Sequence, residues 1–224
     1  MRAIFVIPGL LLSLAFFSFQ KEVSVDTITG NNGNNGSSGI STYQPLSAGS
    51  FWTYKDSASG STHTLTIINK QKTINNRLYT AALSTASADT AYMAVDGADY
   101  FTLAQGNSPN TGASFDFIFH YLNDTAAVGS SWEETAGQGN GFTAYIKTTI
   151  KEKDITHTVA GKTFDNVIHT RLDLKYDIYG SIEDFGGYDY YIAKDVGVIE
   201  IISEFDTFGL SFRAKDELVD YAIK

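Results

Sequence analysis

The sequence predicts an all-β protein, an antiparallel meander that forms either a curled, barrel-like sheet or two packed sheets. Apolar and polar residues alternate with a period of two through most of the chain after residue 45. Strand-favouring Tyr and Phe number 13 and 15, whereas Pro numbers only 3. Short turn signals divide the alternating runs. Because parallel strands are covered on both faces and lose this alternation, the sheet is expected to be antiparallel.

The clearest alternation lies in residues 142–151 and 168–178. In the second run, Ile, Thr, Leu and Tyr occupy one face, and His, Arg, Asp and Lys occupy the other. A strand with one buried face and one solvated face has this pattern. Further strands are predicted at 51–55, 62–69, 77–84, 91–95, 100–104, 115–122, 155–159, 188–193, 197–205, 209–214 and 218–223.

Glycine and asparagine mark the turns between these strands. The predicted turns are Ser59-Gly60, Asn75-Asn76, Asp96-Gly97, 137–141, 160–162 and Gly186-Gly187, with a short helical turn expected only near 216–218. Gly161 is expected to supply the positive φ of a hairpin, and Gly197 to mark a bulge or a close backbone contact. A Gly-Ser-x-Trp pattern occurs at 49–52 and again at 129–132, which indicates either two related halves or a coincidence.

The first residues predict export. Residues 1–19 contain one Arg and a long apolar run, followed by the polar sequence Gln20-Lys-Glu22. The run is short for a bilayer span, so a signal peptide is favoured over a retained anchor helix. Residues 20–44 are rich in Gly, Asn and Ser and are expected to form a flexible linker, with a single all-β domain at 45–224. We expect a protein of the periplasm, cell surface or extracellular space, with no integral membrane span after signal removal.

Composition excludes several classes of function. The net charge is −9 and no cluster of Lys and Arg interrupts it, so neither nucleic acid nor anionic lipid is an expected partner. The chain has no Cys, which excludes disulfides, thiolate metal sites and cysteine nucleophiles.

Four segments resemble proteins of the Bacteroidetes. Residues 14–22 are similar to the lipoprotein signals of this group, with Phe19 at the position of the lipid-modified cysteine. Residues 45–54, 158–167 and 190–200 resemble a group of uncharacterised β-rich secreted proteins and lipoproteins. The resemblance implies an antiparallel β domain at the cell envelope and transfers no catalytic residue. Without a cysteine at position 19 a lipid anchor cannot form, so the protein is expected to be released.

No pattern of catalytic or metal-binding residues is present. Of the four histidines, His63, His157 and His169 fall on predicted polar faces, and His120 lies within an aromatic strand. Their spacing matches no metal motif. Adjacent carboxylates on a strand point to opposite faces, and no nucleophile motif occurs. We therefore expect no catalytic residue, metal or cofactor.

Aromatic side chains are the remaining candidates for ligand binding. Phe185, Tyr188, Tyr190 and Tyr191 lie beside the glycine pair at 186–187, in or next to a predicted loop. Exposed rings at this place would stack on a sugar or line an apolar groove. Alternating burial is the other interpretation: it places Tyr188 and Tyr190 in the core and Tyr191 on the opposite face.

These observations predict a monomeric, exported, non-catalytic cell-envelope module that binds an unknown glycan, lipid or envelope protein. One alternative is a carrier that holds a hydrophobic ligand or lipid inside an open β-barrel. A polysaccharide hydrolase is the other, and it requires two opposed carboxylates.

Overall fold

A computed structural model describes residues 41–86, 90–107, 114–139, 141–207 and 210–224. The predicted signal peptide and all but the last residues of the predicted linker lie outside these ranges. Within them the chain forms twelve β-strands and no helix. The strands are β1 (Phe51–Asp56), β2 (Thr62–Ile74), β3 (Arg77–Ser84), β4 (Thr90–Asp96), β5 (Asp99–Asn107), β6 (Ser114–Asn123), β7 (Ser131–Gly139), β8 (Phe142–Val159), β9 (Lys162–Ile178), β10 (Ser181–Ala193), β11 (Gly197–Thr207) and β12 (Leu210–Ala222).

The strands form one closed, antiparallel, up-and-down barrel. Each strand pairs with its neighbours in sequence, and β1 pairs with both β2 and β12. The predicted all-β class and the barrel-like alternative are confirmed. The predicted strands 209–214 and 218–223 are one strand, β12, so the helical turn expected near 216–218 is wrong. No helix long and apolar enough to cross a membrane is found in the described residues.

Alternating side chains fill the barrel. In β9 the apolar face predicted from residue 168 onward is buried, with Ile168, Leu172 and Leu174 each at 0% exposure, while its polar neighbours are half-buried. Burial of such side chains contributes roughly 1.5–3 kcal/mol each relative to solvent exposure, which favours this register over a one-residue slip.

Two predicted glycine roles are confirmed. Ala160 and Gly161 have positive φ values of 48° and 79° in the hairpin between β8 and β9. Gly197 has a φ of 106°, and a Cβ atom there would lie 3.3 Å from the indole nitrogen of Trp52. The backbone of Gly197 therefore approaches a buried aromatic ring, as the close-contact interpretation expects.

The Gly-Ser-x-Trp pattern corresponds to one local geometry used twice. The glycines of 49–52 and 129–132 have φ values of 85° and 86°. Their N–H groups donate to the carbonyls of Ile67 and Ile150 at 2.9 and 2.8 Å, and the same isoleucines donate back to the serine carbonyls. Each copy runs into the first residues of a strand, β1 or β7, and these two strands lie on opposite sides of the barrel.

The N-terminal segment 41–46 packs onto the barrel. The Ser41 hydroxyl and the Thr42 N–H donate to Asp195 Oδ1 at 2.8 and 3.0 Å, and the Asp195 N–H donates back to the Thr42 carbonyl at 2.7 Å. Tyr43 and Gln44 follow and are buried. The packed part of the described chain therefore includes residues 41–44, on the linker side of the predicted boundary at residue 45.

The glycine pair Gly186-Gly187 is not a turn, and the prediction that it separates two strands is wrong. Both residues lie within β10, between β9 and β11. A Cβ atom on Gly187 would overlap the carbonyl oxygen of Leu172 on β9. Glycine at these positions therefore allows the backbones of neighbouring strands to approach closely.

Replacing Gly187 with Ala should lower the free energy of unfolding by about 3 kcal/mol or more, because the backbones of β9 and β10 must separate. Gly161→Ala is the matched control: nothing lies within 4 Å of the added methyl group, so only the positive φ costs about 1–2 kcal/mol. Denaturant unfolding of both variants measures the difference. An equal decrease in the free energy of unfolding for the two variants would contradict the role of Gly187 in close backbone approach.

Candidate functional site

A small pocket lies inside the barrel, between the strands on either side of the β1–β12 closure. It has a volume of about 30 Å³, which is room for roughly two water molecules. Most of its wall is aromatic or aliphatic, with one acidic side chain. The lining residues are Gln44, Trp52, Tyr54, His63, Leu65, Met93, Val198, Ile201 and Asp216.

Strand register turns the lining side chains inward. Trp52 pairs with Leu65 and Tyr54 pairs with His63 across β1 and β2, and directly opposed residues share a face of the sheet. On β12, Asp216 lies two residues from the buried Leu218, so it takes the inward face of the same alternation.

The polar ends of the two large rings are already bound to backbone. The Trp52 Nε1–H donates to the Val196 carbonyl at 2.6 Å, and the Tyr54 hydroxyl donates to the Val198 carbonyl at 2.8 Å. The His63 ring stacks on Tyr54 at 5.5 Å between ring centroids. These contacts fix the rings in the wall of the pocket.

Asp216 is the unusual member of this set. It is only 4% exposed, and its Oδ1 has no hydrogen-bond partner within the described residues. Burial raises the pKa of Asp216 to about 6, and the neighbouring carboxylate of Asp56 adds to the shift. Most buried polar groups in folded proteins are hydrogen-bonded, so this oxygen is an exception that requires an explanation.

Two titratable groups stand near Asp216. Asp56 pairs with it directly across β1 and β12. Burial acts to raise the pKa of Asp56, but hydrogen bonds from Ser59 and Ala58 outweigh it and lower the pKa. Burial lowers the pKa of His63, with Asp56 opposing that shift. Near neutral pH, His63 is therefore largely neutral while Asp216 is largely ionised.

The prediction that His63 lies on a polar face is wrong, because its side chain lines the pocket. Asp216 was not among the predicted binding residues. A signal for both was present. His63, Leu65 and Ile67 alternate, as do Ala214, Asp216 and Leu218, so each polar residue continues an apolar face. The second pattern was hidden because the predicted strand ended at 214 and the next began at 218.

The four predicted ligand-binding residues do not form one exposed cluster. Phe185, Tyr188 and Tyr190 are buried inside the barrel at 8%, 1% and 1% exposure, and Tyr191 is half-buried on the outer face. All four lie within β10, not in a loop. The alternating-burial interpretation describes their positions, and their role in ligand binding stays a prediction.

One of these residues, Tyr190, is linked to the pocket through Tyr121 and Gln44. The hydroxyls of Tyr188 and Tyr190 have no hydrogen-bond partner in the described part of the chain, and burial raises the pKa of both. The Tyr190 ring lies 5.4 Å from that of Tyr121. The Tyr121 hydroxyl donates to Gln44 Oε1 at 3.2 Å, and Gln44 lines the pocket.

On the outer face, Tyr191 lies between two histidines. Its ring stacks on His157 and His169 at centroid distances of 4.0 and 4.3 Å. His169 also bonds to Glu152 and Asp189 at 2.9 and 2.8 Å. Burial acts to lower the pKa of His169, but these two carboxylates outweigh it and raise the pKa. The stack is therefore held by ion pairs on the barrel surface.

His120 lies where β6 and β7 separate. Their backbone pairing is confined to residues 115–117 and 137–139. Beyond it, His120 Nδ1 and Nε2 lie 2.9 and 3.0 Å from Glu134 and Asp99. The imidazole thus occupies the space between these two carboxylates. No group of three or more His, Cys, Asp and Glu side chains suited to a metal ion occurs among the described residues.

Comparison with known proteins gives one weak similarity. No family model matches the chain, and no curated protein matches it. A crystal structure of a "putative lipoprotein" from Parabacteroides distasonis is similar over 80% of this chain and 98% of its own, with a TM-score of 0.45 and 10% sequence identity. The organism belongs to the Bacteroidetes, which is consistent with the resemblance seen in the sequence. A similarity this weak carries no argument about function.

Replacing Asp216 with Asn should stabilise the protein at neutral pH. The pKa of Asp216 in the folded state, about 6, exceeds its ordinary value of 3.8. The stabilising contribution of protonated Asp216 to folding is therefore fully present below pH 3.8 and is lost as the pH rises through 6. Asp216→Asn should therefore raise the free energy of unfolding by roughly 1–3 kcal/mol at pH 7.5. The gain should shrink towards zero near pH 4.

Denaturant unfolding between pH 4 and pH 8 measures this effect. Asp220→Asn is the control, because Asp220 is exposed on the same strand and its replacement changes the charge equally. The control should stay within about 0.5 kcal/mol of the unmodified protein. A destabilised Asp216→Asn variant, or a gain that does not depend on pH, would show that Asp216 is compensated in the folded state.

Proposed function

We propose that the protein is an exported, non-catalytic module of the cell envelope that binds a small ligand inside its barrel, in the pocket at Asp216. One observation carries the proposal: a buried, inward-facing carboxylate has an oxygen without a hydrogen-bond partner among the described residues. A ligand that donates a hydrogen bond to this oxygen would satisfy it.

The energetic cost of Asp216 supports a functional role. Holding an ionised carboxylate in a buried site without a partner reduces stability. An Asn or Leu at this position would remove that cost. Residues that break the local rules of stability concentrate at functional sites, where binding supplies the missing interaction.

The proposed location depends on the beginning of the sequence. The predicted signal peptide and most of the predicted linker lie outside the described residues, and they support export to the periplasm or the cell surface. The resemblance of residues 14–22 to Bacteroidetes lipoprotein signals supports a cell-envelope setting, with Phe19 in place of the cysteine favouring release.

The carrier alternative receives less support from this pocket. Sites for drug-sized ligands have volumes of roughly 300–1,000 Å³, whereas this pocket has about 30 Å³. Buried rings also occupy the neighbouring interior, including Phe117, Phe119 and Tyr188. A lipid would require these rings to move apart.

One observation favours a hydrolase as a second candidate. Asp216 and Asp56 are directly opposed, with the pKa of the first raised and that of the second lowered, and a split of this kind suits an acid and a base. Against it, Asp56 accepts hydrogen bonds from the Ser59 backbone in the β1–β2 turn and does not line the pocket. The pocket is also too small for a sugar ring. The binding role is therefore preferred.

The chain contains its own reporters for a binding test. Its two methionines are Met1 and Met93, and its two tryptophans are Trp52 and Trp132. Met93 and Trp52 line the pocket, and Trp132 does not. Methyl-labelled methionine and fluorinated tryptophan therefore place one NMR signal each at the pocket, with Trp132 as an internal control.

Screening the exported protein against mixtures of small polar metabolites should reveal compounds that shift the Met93 and Trp52 signals and leave Trp132 unchanged. Asp216→Asn should weaken such binding, and Asp220→Asn should not. If no compound class shifts the pocket signals, the proposal fails. Turnover of a polysaccharide that Asp216→Asn abolishes would favour the hydrolase instead.

A further inference from the structure

We infer that the pocket receives the ammonium group of a small primary amine, with the carboxylate of Asp216 as its counter-ion. This inference rests on the proposed function, because it identifies the chemical class of ligand for the same pocket. Three features of the wall support it: which hydrogen-bonding groups remain available, the size of the pocket, and the charges that face it.

The pocket offers an acceptor, while its main aromatic donors are already used. The indole N–H of Trp52 and the hydroxyl of Tyr54 both donate to backbone carbonyls, so neither is available to a ligand carbonyl or anion. Ionised Asp216 accepts hydrogen bonds only. A ligand group that contacts this carboxylate must therefore donate, and an ammonium group brings three donors.

The aromatic wall favours a cation over a neutral donor. The rings of Trp52 and Tyr54 line the pocket beside Asp216, and the face of an aromatic ring attracts an ammonium ion. Among the residues that the structure describes, no Lys or Arg lines the pocket. The whole chain carries a net charge of −9, which further favours a cation near its surface.

The size of the pocket limits which chemical group of a ligand can enter it. A volume of about 30 Å³ admits an ammonium group but neither a sugar ring nor an acyl chain. His63 and Val198 are half-buried, whereas the other lining residues are buried, and His63 also lies next to the exposed β1–β2 turn. The inference therefore places the alkyl part of the amine on the His63 side of the pocket, towards this turn.

The charges that face Asp216 predict a dependence on pH. Asp56 adds negative charge from β1, and His63 faces the pocket from β2. Acidification neutralises Asp216 and charges His63, and both changes oppose a bound cation. Since the pKa of Asp216 is raised to about 6, binding at pH 5 should be roughly tenfold weaker than at pH 7.5.

The test titrates the exported protein with n-butylammonium, n-butanol and butyrate, three probes of similar size that differ in charge. The NMR signals of Met93 and Trp52 report binding. We expect n-butylammonium to bind and the neutral and anionic probes to bind at least tenfold more weakly. Asp216→Asn should weaken n-butylammonium binding at least tenfold, and Asp220→Asn should leave it within twofold.

The outcomes separate this inference from the proposed function. If n-butanol or butyrate binds as well as n-butylammonium, the pocket is a ligand site but not an ammonium site, and only the inference fails. If none of the three shifts the pocket signals, the inference fails, and the wider metabolite screen decides the proposed function. Binding of n-butylammonium that persists unchanged at pH 5, or in Asp216→Asn, would also overturn the inference.

Discussion

The backbone pairing of β1 with β12 is the constraint on which the rest of this structure depends. It joins the two ends of the sheet, so the barrel has no free edge between its first and last strands. Closure also gives all inward side chains one shared interior, where a polar group has only other interior groups as partners. Asp216 and Asp56 are opposed because of this pairing, and Tyr54 meets His63 because β1 also pairs with β2. The pocket is thus a product of closure, built from residues at both ends of the chain.

Periodicity predicted the class of fold and most of the strands, because alternation is a local property that the sequence displays directly. The buried face of β9 follows the pattern from residue 168 onward. Closure and register depend on pairing between distant segments, which no local pattern contains. Gly186 and Gly187 show this limit: a glycine pair has the same appearance in a turn and in a strand pressed between two others. For the same reason the sequence did not predict the pocket, since Asp216 is recognisable as part of a site only once the strand pairing shows that Asp56 and Tyr54 lie beside it.

The interior contains two kinds of polar group. Thr148 and Thr170 lie at 0% exposure, and their hydroxyls donate to the carbonyls of His120 and Tyr121 at 2.7 and 2.8 Å. Such satisfied groups join β8 and β9 to β6 and support the fold. Asp216 is of the other kind, since its Oδ1 gains no such bond in the described part of the barrel. The buried hydroxyls of Tyr188 and Tyr190 also lack a partner there, but Asp216 differs from them because it lines the pocket and is largely ionised near neutral pH. Its retention is therefore better explained by binding.

The attachment of Ser41 and Thr42 to Asp195 has a mechanical consequence. A force applied to the chain at Ser41 would first act on the hydrogen bonds that join Ser41 and Thr42 to Asp195, in the turn between β10 and β11. Once these yield, the load reaches the buried Tyr43 and then Gln44, which is part of the pocket wall, before it reaches β1. Tension on the N-terminal side would therefore distort the pocket while the barrel wall stays intact. The sequence of events follows the order of the residues along the chain, and the pocket is strained before the strands of the barrel.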